Sequence, residues 1–327
     1  MSPRTVLVIA QAQDGTADLV VDALLTRGAE IARIDTADFP DTLSLAATPD
    51  RIDSPGWLCA RGRRIDLELV RSVYRRSPAR FAFPDGMSAP ERQFATLESV
   101  YGLGGVLSAQ PWRWIDHPSA VADASYKPRQ LRVAAQCGLN VPRSLVTNVG
   151  ARAREFAAEV GDAVVYKSLS TGVVTEADEL RIVYTSRLTA DDLDDGAIAL
   201  CCHLFQEWVP KAFDVRLTVV GDRFFAVAVH SGSPETEVDW RCRYDELRYE
   251  VREAPGEVRE APGEVRYSVR AYLREFGLIF GAFDFSVTPD GRWWFLECNP
   301  AGQWGWIAEE TGLPIAGAIA DELVRAV

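Results

Sequence analysis

The stretch "WWFLECNPAGQWGW" at residues 293–306 begins as an aromatic, apolar run and ends abruptly in "ECNP". Side chains at positions i and i+2 of a β-strand share a face, so Glu297 and Asn299 are predicted to point the same way. The apolar segment before it carries Asp284, and the intervening "TPDG" is a turn signal. A two-residue loop centred on residues 290–291 places Asp284 opposite Glu297, and a single bulge would shift this pairing by one residue.

Three oxygen-bearing side chains, from Asp284, Glu297 and Asn299, therefore converge at the end of a hydrophobic hairpin. Two carboxylates in such a place repel each other unless a cation lies between them. Oxygen ligands of this kind suit magnesium, which typically binds one or two protein carboxylates together with substrate phosphates. The alternative is a set of solvated residues at a strand end, with Asn299 capping the next helix. Cys298 is predicted to point to the opposite face and to pack in the core.

Composition bounds the class of protein. The chain has 327 residues, 47% of them apolar, which is enough for two or three packed units. Its 35 basic and 47 acidic residues give a formal charge of -12, which argues against nonspecific binding to nucleic acid. Six cysteines without a CxxC pair and three histidines without HExxH do not predict a zinc site. No signal-like region and no apolar run of about 20 residues occur, so we expect no membrane partner, a cytoplasmic location and free thiols.

The segments "TVLVIA", "DGTADLVVDALLTRG" and "AEIARID" predict a strand, a helix and a strand, which favours a parallel sheet. The turn "QAQDGT" lacks GxGxxG, so a dinucleotide site is not predicted. Short strands follow over residues 41–70, with a turn at residues 54–56, and "APERQFATLESVYGLGGVLS" predicts a helix. These elements form a predicted N-terminal α/β domain over residues 1–118.

Two further units are predicted, at residues 119–205 and 206–327. "AVVYKSL" and "IALCCHLFQEWV" are interpreted as buried strands, and "DVRLTVVGDRFFAVAVHS" as a hairpin that turns at residues 221–222. "RYSVRAYLREFG" predicts a helix, and a terminal helix is predicted from about residue 312. The segment "EVREAPG" occurs twice in tandem from residue 250, which we interpret as a duplication tolerated in a surface loop.

A magnesium site suggests a nucleotide, yet the chain lacks GxxxxGK[ST]. Lys167 ends a predicted buried strand and precedes a Ser/Thr/Gly loop that begins at Ser168, and such a loop can hold phosphate oxygens. Lys127, at the head of a predicted helix, is a second candidate phosphate contact. Each lysine taken alone is equally consistent with an ordinary surface or strand-end residue.

The segment "LFQEWVPKAFDVRLTVVGD" resembles a hinge between two lobes, because a buried strand leaves the core there and a proline ends it. Backbone groups at such a hinge can bind an adenine edge. Asp214 lies seven residues beyond Glu207 and is a candidate ribose ligand. Asp214 and Arg216 share a face of the next strand, where an exposed ion pair is the alternative interpretation.

Together these residues, over about residues 119–327, resemble the ATP-grasp superfamily. The chain is most similar to the graspetide synthetases, which include the microviridin-type ligases. That resemblance rests on "HPSAVADASYKPRQLRVAAQCGLNVPRSLVTN", "QEWVPKAFDVRLTVVGDRFFAVAVHS", "DWR" at residues 239–241 and "LECNPAGQW". "RIDTADFP" and "VRSVYRRSP" extend it towards the N-terminus. It implies an α/β protein with an ATP-grasp fold and an N-terminal pre-ATP-grasp α/β domain.

The resemblance also implies roles for the matching residues. Phosphates of ATP would contact Lys127, Lys167 and Ser168. Adenine would contact Glu207, Trp208 and Val209, and the ribose would contact Asp214. Two magnesium ions would bind Asp284, Glu297 and Asn299. The transferred phosphate or the substrate carboxylate would contact Arg216, Arg241 and Lys211.

The activity that the resemblance implies is ATP-dependent cyclisation of a ribosomal precursor peptide by a homodimer. Asp or Glu carboxylates would be activated as acylphosphates, and Ser or Thr hydroxyls or Lys amines would attack them. Arg75, Arg76 and Lys211 are candidates to meet acidic precursor residues, or are simple surface charges. Two alternatives stay open, an ATP-grasp ligase that adds a free amino acid to a peptide or protein and a non-catalytic nucleotide-binding protein.

Overall fold

The computed structural model describes residues 4–51, 55–161, 163–170, 172–176, 179–251 and 261–325. The predicted turn at residues 54–56 and the duplicated segment lie partly outside these residues, and the loop interpretation of the duplication stays a prediction. In the described part of the chain, no helix combines the length and the apolarity needed to cross a membrane.

The N-terminal third contains two sheets and two helices. Its elements are β1 (Thr5–Ala10), α1 (Gly15–Thr26), β2 (Glu30–Ile34), β3 (Leu43–Ala47), β4 (Gly56–Ala60), β5 (Arg63–Asp66), β6 (Val70–Arg76), α2 (Ala89–Ser108) and β7 (Arg113–Ile115). The main sheet is parallel with strand order β2-β1-β6-β7, which confirms the predicted strand-helix-strand opening. Helix α2 has the predicted bounds because Ser88 and Glu91 form a capping box at its start.

The middle of the chain forms a four-stranded sheet with order β12-β9-β13-β8 and a separate β10-β11 hairpin. Its elements are α3 (Pro118–Ala124), α4 (Lys127–Gln136), β8 (Ser144–Thr147), α5 (Gly150–Glu159), β9 (Val164–Lys167), β10 (Val173–Glu176), β11 (Glu179–Ile182), β12 (Ser186–Leu188), α6 (Asp195–Ile198) and β13 (His203–Glu207). The predicted strand over "IALCCHLFQEWV" is wrong at its start. The strand begins only at His203, because α6, capped by the Asp194 side chain, ends at Ile198 and residues 199–200 form a turn.

The last third is built on an antiparallel sheet with order β16-β15-β14-β17-β18. Its elements are β14 (Phe213–Val220), β15 (Arg223–His230), α7 (Pro234–Val238), β16 (Arg248–Val251), α8 (Gly263–Phe276), β17 (Phe280–Val287), β18 (Trp293–Asn299), α9 (Gly305–Thr311) and α10 (Ile315–Val324). One face buries Phe283, Phe285 and Phe295 against α4 and α8. The other face shares a core with β1, α1 and α10, so the N-terminal sheet packs directly on the last third.

The hairpin of β17 and β18 pairs Asp284 with Glu297 as predicted, but the predicted two-residue loop is wrong. Thr288 N–H donates to the Arg292 carbonyl, which leaves a three-residue loop in which Gly291 has a φ of 83°. A bulge at Leu296 compensates for the extra loop residue, because Phe295 pairs with Phe285 while Glu297 pairs with Asp284. The division into domains at residues 118 and 205 stays a prediction.

Candidate active site

Three charged side chains form a row across the last sheet. Arg216 on β14 pairs with Asp284 on β17, and Asp284 pairs with Glu297 on β18. Arg216 Nη1 donates to Asp284 Oδ2 at 3.0 Å, and all three residues are buried. The Asn299 amide nitrogen donates to Asp284 Oδ2 at 3.3 Å and to Glu297 Oε1 at 3.4 Å. The structure therefore brings together the three predicted magnesium ligands and a buried guanidinium.

Two cations from other elements reach the carboxylate of Glu297. Lys127 Nζ lies 3.2 Å from Oε2, and Arg241 Nη1 lies 3.4 Å from Oε1. Burial raises the pKa of Glu297, but the charges of Lys127, Lys167 and Arg241 outweigh it and hold this pKa well below its usual range. Burial raises the pKa of Asp284 to about 6, with Arg216 opposing and Glu297 adding to the shift. The cluster is therefore rich in positive charge around its two carboxylates.

Lys167, at the end of β9, is buried and donates to Gln206 Oε1 at 3.4 Å. No carboxylate lies within ion-pair distance of its Nζ among the residues that the structure describes. Burial lowers the pKa of Lys167, and the neighbouring Lys127 and Arg241 lower it further against the opposing effect of Glu297. Lys127 Nζ also donates to the Ser168 carbonyl at 2.7 Å, which ties both lysines to the predicted phosphate loop. A buried cation without a carboxylate at ion-pair distance fits a phosphate ligand.

The predicted hinge lines the same cleft, which also contains Lys167, Arg241, Asp284 and Glu297. The Trp208 N–H donates to the Ala163 carbonyl at 2.7 Å. By contrast, the backbone N–H and C=O of Val209 make no hydrogen bond within the described part of the chain. Those groups are available to an adenine edge, whereas the cations of Arg187 and Lys211 lie over the Trp208 ring at 4.9 Å and 5.4 Å.

Asp214 and Lys211 also line the cleft, but they bind each other. Lys211 Nζ lies 2.6 Å from Asp214 Oδ2, and Ser286 Oγ donates to Asp214 Oδ1 at 2.9 Å. Both carboxylate oxygens thus have partners, and burial raises the pKa of Asp214 despite the opposing charge of Lys211. The ribose role of Asp214 and the substrate role of Lys211 stay predictions.

Asp239 is a site residue that the sequence analysis did not single out. Arg241 Nε and Nη2 donate to its two oxygens at 2.8 Å and 2.7 Å, and the Thr185 N–H donates to Oδ2 at 2.9 Å. This bidentate contact fixes the guanidinium that reaches Glu297. The spacing "DWR" is the available signal, since a carboxylate two residues before an arginine can orient it.

A second cavity of about 250 Å³ adjoins the cleft. Lys127, Lys167, Ser168, Arg241 and Tyr244 line it, together with the β10-β11 hairpin. It shares Lys167, Thr185 and Arg241 with the cleft, so the two spaces lie side by side. Together they suit a small-molecule ligand, whose sites typically measure about 300 Å³ or more.

The donor set suits magnesium. Asp284 Oδ1 is buried without a hydrogen-bond partner in the described residues, so one carboxylate oxygen is available to a cation. No group of three His, Cys, Asp or Glu side chains suited to a metal occurs in the described ranges. The predicted ligands are two carboxylates and one amide, which is the sparse oxygen set that magnesium completes with water and phosphate. Cys298, between them in sequence, is buried in the core as predicted.

Known proteins resemble the chain in both sequence and fold. Residues 5–122 match the family model described as the MvdD pre-ATP grasp domain. The macrocyclase MdnB from Microcystis aeruginosa MRC is 31% identical, with a TM-score of 0.80, and the match covers 99% of this chain and 100% of MdnB. The chain belongs to the ATP-grasp macrocyclase family. It is accordingly an ATP-grasp ligase, and its fold is the predicted ATP-grasp fold with a pre-ATP-grasp domain.

Two further solved structures superpose over nearly the whole chain. The macrocyclase MdnC from the same organism, bound to the precursor peptide MdnA, is 29% identical with a TM-score of 0.84, covering 98% of this chain and 100% of MdnC. A Chryseobacterium gregarium RiPP-associated ATP-grasp ligase, in complex with ADP and a leader and core peptide, is 24% identical with a TM-score of 0.88. That match covers 98% of this chain and 96% of the ligase, and it supports the fold alone. Curated protein sequences contain no match.

Proposed function

We propose that the chain cyclises a ribosomal precursor peptide by joining Asp or Glu side chains to Ser or Thr hydroxyls or to Lys amines. One observation carries the proposal. Two buried carboxylates and the Asn299 amide contact each other and lie among four cations, in a chain that aligns with a macrocyclase over its full length. Those cations are Lys127, Lys167, Arg216 and Arg241.

The chemistry needs two steps. A substrate carboxylate oxygen attacks the γ-phosphorus of ATP, the bond to the bridging oxygen breaks, and ADP leaves. The hydroxyl or amine then attacks the acyl carbon. The bond between that carbon and the phosphate oxygen breaks, inorganic phosphate leaves with the oxygen and the electron pair, and the nucleophile loses a proton. Dispersed negative charge forms on the transferred phosphoryl group, so fixed cations rather than a covalent nucleophile of the protein are required.

The residues of the cleft divide this work. Asp284, Glu297 and Asn299 would hold magnesium, which supplies positive charge to the phosphate oxygens. An ATP phosphate would then lie at ion-pair distance from Lys167, and Lys127, at the start of α4, would contact the same phosphates. Arg216, held by Asp284, and Arg241, held by Asp239, face the reacting carboxylate and phosphate.

The hinge binds the base in this proposal. The free backbone groups of Val209 meet the adenine edge, and Glu207 and Trp208 line the cleft beside it. Asp214 and Lys211 form the wall beside the ribose, where Lys211 is a positioning residue through its ion pair. Six free thiols, in a chain that consumes ATP, support a cytoplasmic location.

The test is mass spectrometry of the peptide encoded beside the gene after incubation with the chain, ATP and Mg²⁺. We expect successive losses of one water per ring, reversed by mild alkali for esters and stable for amides. A gain of one amino-acid mass would replace the proposal with ligation of a free amino acid. An unchanged peptide without ADP, while ATP still binds, would replace it with a nucleotide-binding role.

We also propose that the chain forms a homodimer through α2. Phe94 and Tyr101 on this helix are 66% and 76% exposed, and Leu97 and Val100 lie exposed between them. Single exposed apolar residues are ordinary, but a stripe of four on one helix indicates an interface. An antiparallel copy related by a two-fold axis near Leu97 places Phe94 of one protomer beside Tyr101 of the other.

Light scattering after gel filtration tests the dimer. The wild type is expected at twice the mass of one chain, and Phe94→Asp at the mass of one chain with an unchanged far-UV spectrum. Phe94→Tyr is the matched control and should remain dimeric. A monomeric wild type would refute the proposal, as would a dimeric Phe94→Asp variant.

A further inference from the structure

The carboxyl edge of the N-terminal sheet contains a second cluster of cations. In the strand order β2-β1-β6-β7, β2 and β6 lie on opposite sides of β1, although both follow β1 along the chain. The crevice outside the ends of β1 and β6 is therefore a topological switch point, where open α/β sheets bind ligands. Arg75 and Arg76 end β6 at this crevice, and both line a cavity there.

Arg76 has hydrogen-bonding capacity that the protein leaves unused. The residue is 3% exposed, and its Nη1 donates to Ser77 Oγ and to the Ala301 carbonyl, both at 2.9 Å. Its Nε and Nη2 are buried without a partner among the described residues. The mostly buried carboxylate of Asp14 forms an ion pair with Nε at 4.0 Å, beyond hydrogen-bond distance, so that it balances part of the charge of Arg76 but leaves these N–H donors unused. Buried donors of this kind are rare unless a water or a ligand satisfies them.

Arg75 points to the same conclusion from the rim of the cavity. Its side chain is half-buried and makes no hydrogen bond or ion pair with any residue that the structure describes. Burial lowers the pKa of Arg75, as expected for a cation without an acidic neighbour. Tyr74 also lines the cavity and adds a neutral donor. Its hydroxyl oxygen accepts a hydrogen bond from Trp304 Nε1 at 3.4 Å, and the hydroxyl proton is available to donate to a ligand.

Asp116 is the one acidic side chain that lines this cavity within the described residues. Its oxygens accept the N–H groups of Ile279, at 2.7 Å, and Phe280, at 3.1 Å. Burial raises the pKa of Asp116 to about 8, against these hydrogen bonds. Near pH 7 the carboxyl group is therefore mostly neutral and offers little repulsion to an anion.

We propose that Arg75 and Arg76 bind a carboxylate of the peptide substrate other than the one being activated. This inference rests on the proposed function, which supplies an acidic peptide. A planar guanidinium pairs with a carboxylate through two parallel hydrogen bonds, which the free Nε and Nη2 of Arg76 can provide. The enclosed space is about 10 Å³, room for a single oxygen. Binding of a side-chain carboxylate in this proposal therefore requires the half-buried Arg75 side chain to turn outwards, and a phosphate chain does not fit.

The position of the cavity explains why the carboxylate belongs to the peptide. The loop at residues 300–304 separates the two sites, since Asn299 contacts Glu297 on one side and Ala301 accepts from Arg76 on the other. ATP phosphates meet Lys127 and Lys167 at the first site, which leaves the second to the substrate. A peptide that crosses this loop presents one acidic side chain for activation and another to Arg75 and Arg76, which sets the register of the core.

The experiment compares Arg75→Gln with Arg80→Gln. Arg80 is exposed, lies outside the cavity and carries the same charge, so it is a matched control. The peptide encoded beside the gene is titrated by fluorescence anisotropy, and ring formation is followed by mass spectrometry. Arg75→Gln should weaken peptide binding about tenfold, the loss of one charge-assisted hydrogen bond, while the KM for ATP is unchanged. Arg75→Lys should recover part of the loss, and Arg80→Gln should match the wild type.

The peptide carries the second half of the test. Each of its acidic residues is replaced in turn by the corresponding amide and titrated against wild type and Arg75→Gln. One replacement should weaken binding to the wild type but not to the variant, which identifies the bound carboxylate. If the effect of Arg75→Gln and the effect of every peptide replacement on the binding free energy simply add, the inference is overturned. It is also overturned if N-acetylglutamate amide saturates the site while no peptide replacement is coupled to Arg75→Gln. If the wild type forms no ring at all, the proposed function fails instead.

Discussion

Glu297→Gln tests the charge balance of the candidate site most directly. The carboxylate lies 3.2 Å from Lys127 Nζ and 3.4 Å from Arg241 Nη1. At an effective dielectric constant of about 20, two unit charges at such a distance attract by about 5 kcal/mol. Desolvation offsets much of this, and removing one partner of a buried pair costs about 3–5 kcal/mol. Because glutamine keeps an acceptor oxygen, we expect a loss near the lower limit, about 3 kcal/mol in the free energy of unfolding.

The assay is urea unfolding followed by tryptophan fluorescence, with and without Mg²⁺ and ADP. Without ligand, the midpoint of Glu297→Gln should fall by about 1 M relative to the wild type. With Mg²⁺ and ADP at about 100 times their Kd, the wild type should gain about 2.7 kcal/mol, and the variant should gain much less because a metal ligand is lost. Glu309→Gln, on the exposed side of α9, is the matched control and should behave as the wild type.

Two results would refute this reasoning. If Glu297→Gln unfolds at the same urea concentration as Glu309→Gln, the carboxylate does not hold the surrounding cations together. If Mg²⁺ and ADP stabilise Glu297→Gln as much as the wild type, Glu297 does not bind the metal. In the second case ring formation should also survive, which mass spectrometry of the peptide would detect.

Three further predictions follow from single contacts. Lys167→Met should lower ATP affinity about 10²-fold by calorimetry and lower the thermal midpoint less than Glu297→Gln does, because no carboxylate lies within ion-pair distance of Lys167 Nζ among the described residues. A larger fall in the midpoint than in Glu297→Gln would contradict this. Asp239→Asn should lower kcat for peptide-dependent ADP release about 10²-fold through the misplaced Arg241, with the KM for ATP less affected, and the reverse pattern would contradict it. Asp116 has a folded pKa of about 8, above its unfolded value of about 3.9, so its contribution to stability is full below pH 4 and is lost towards pH 8. Asp116→Asn should therefore flatten the decline in unfolding free energy between pH 5 and pH 8, and an unchanged slope would refute the assignment.

The amino-acid sequence determined the parts of the site that depend on local periodicity. Glu297 and Asn299 share a face because they are two residues apart on one strand, and Cys298 packs in the core for the same reason. The bounds of α2 follow from a capping box that is written in the sequence. The lysine at the end of β9 and the resemblance of "LECNPAGQW" to the ATP-grasp macrocyclases are likewise properties of the sequence alone.

Only the tertiary structure decided how separate elements meet. Asp284 faces Glu297 because a bulge at Leu296 cancels the extra residue of the loop, and neither irregularity has a clear signal in the sequence. Lys211 and Asp214 pair with each other, and Asp239 orients Arg241, because packing sets the distances between groups on different elements. Periodicity fixes the direction of a side chain relative to its own strand or helix. The partner that it reaches depends on how those elements pack, which is why the burial of Arg76 became apparent only in the fold.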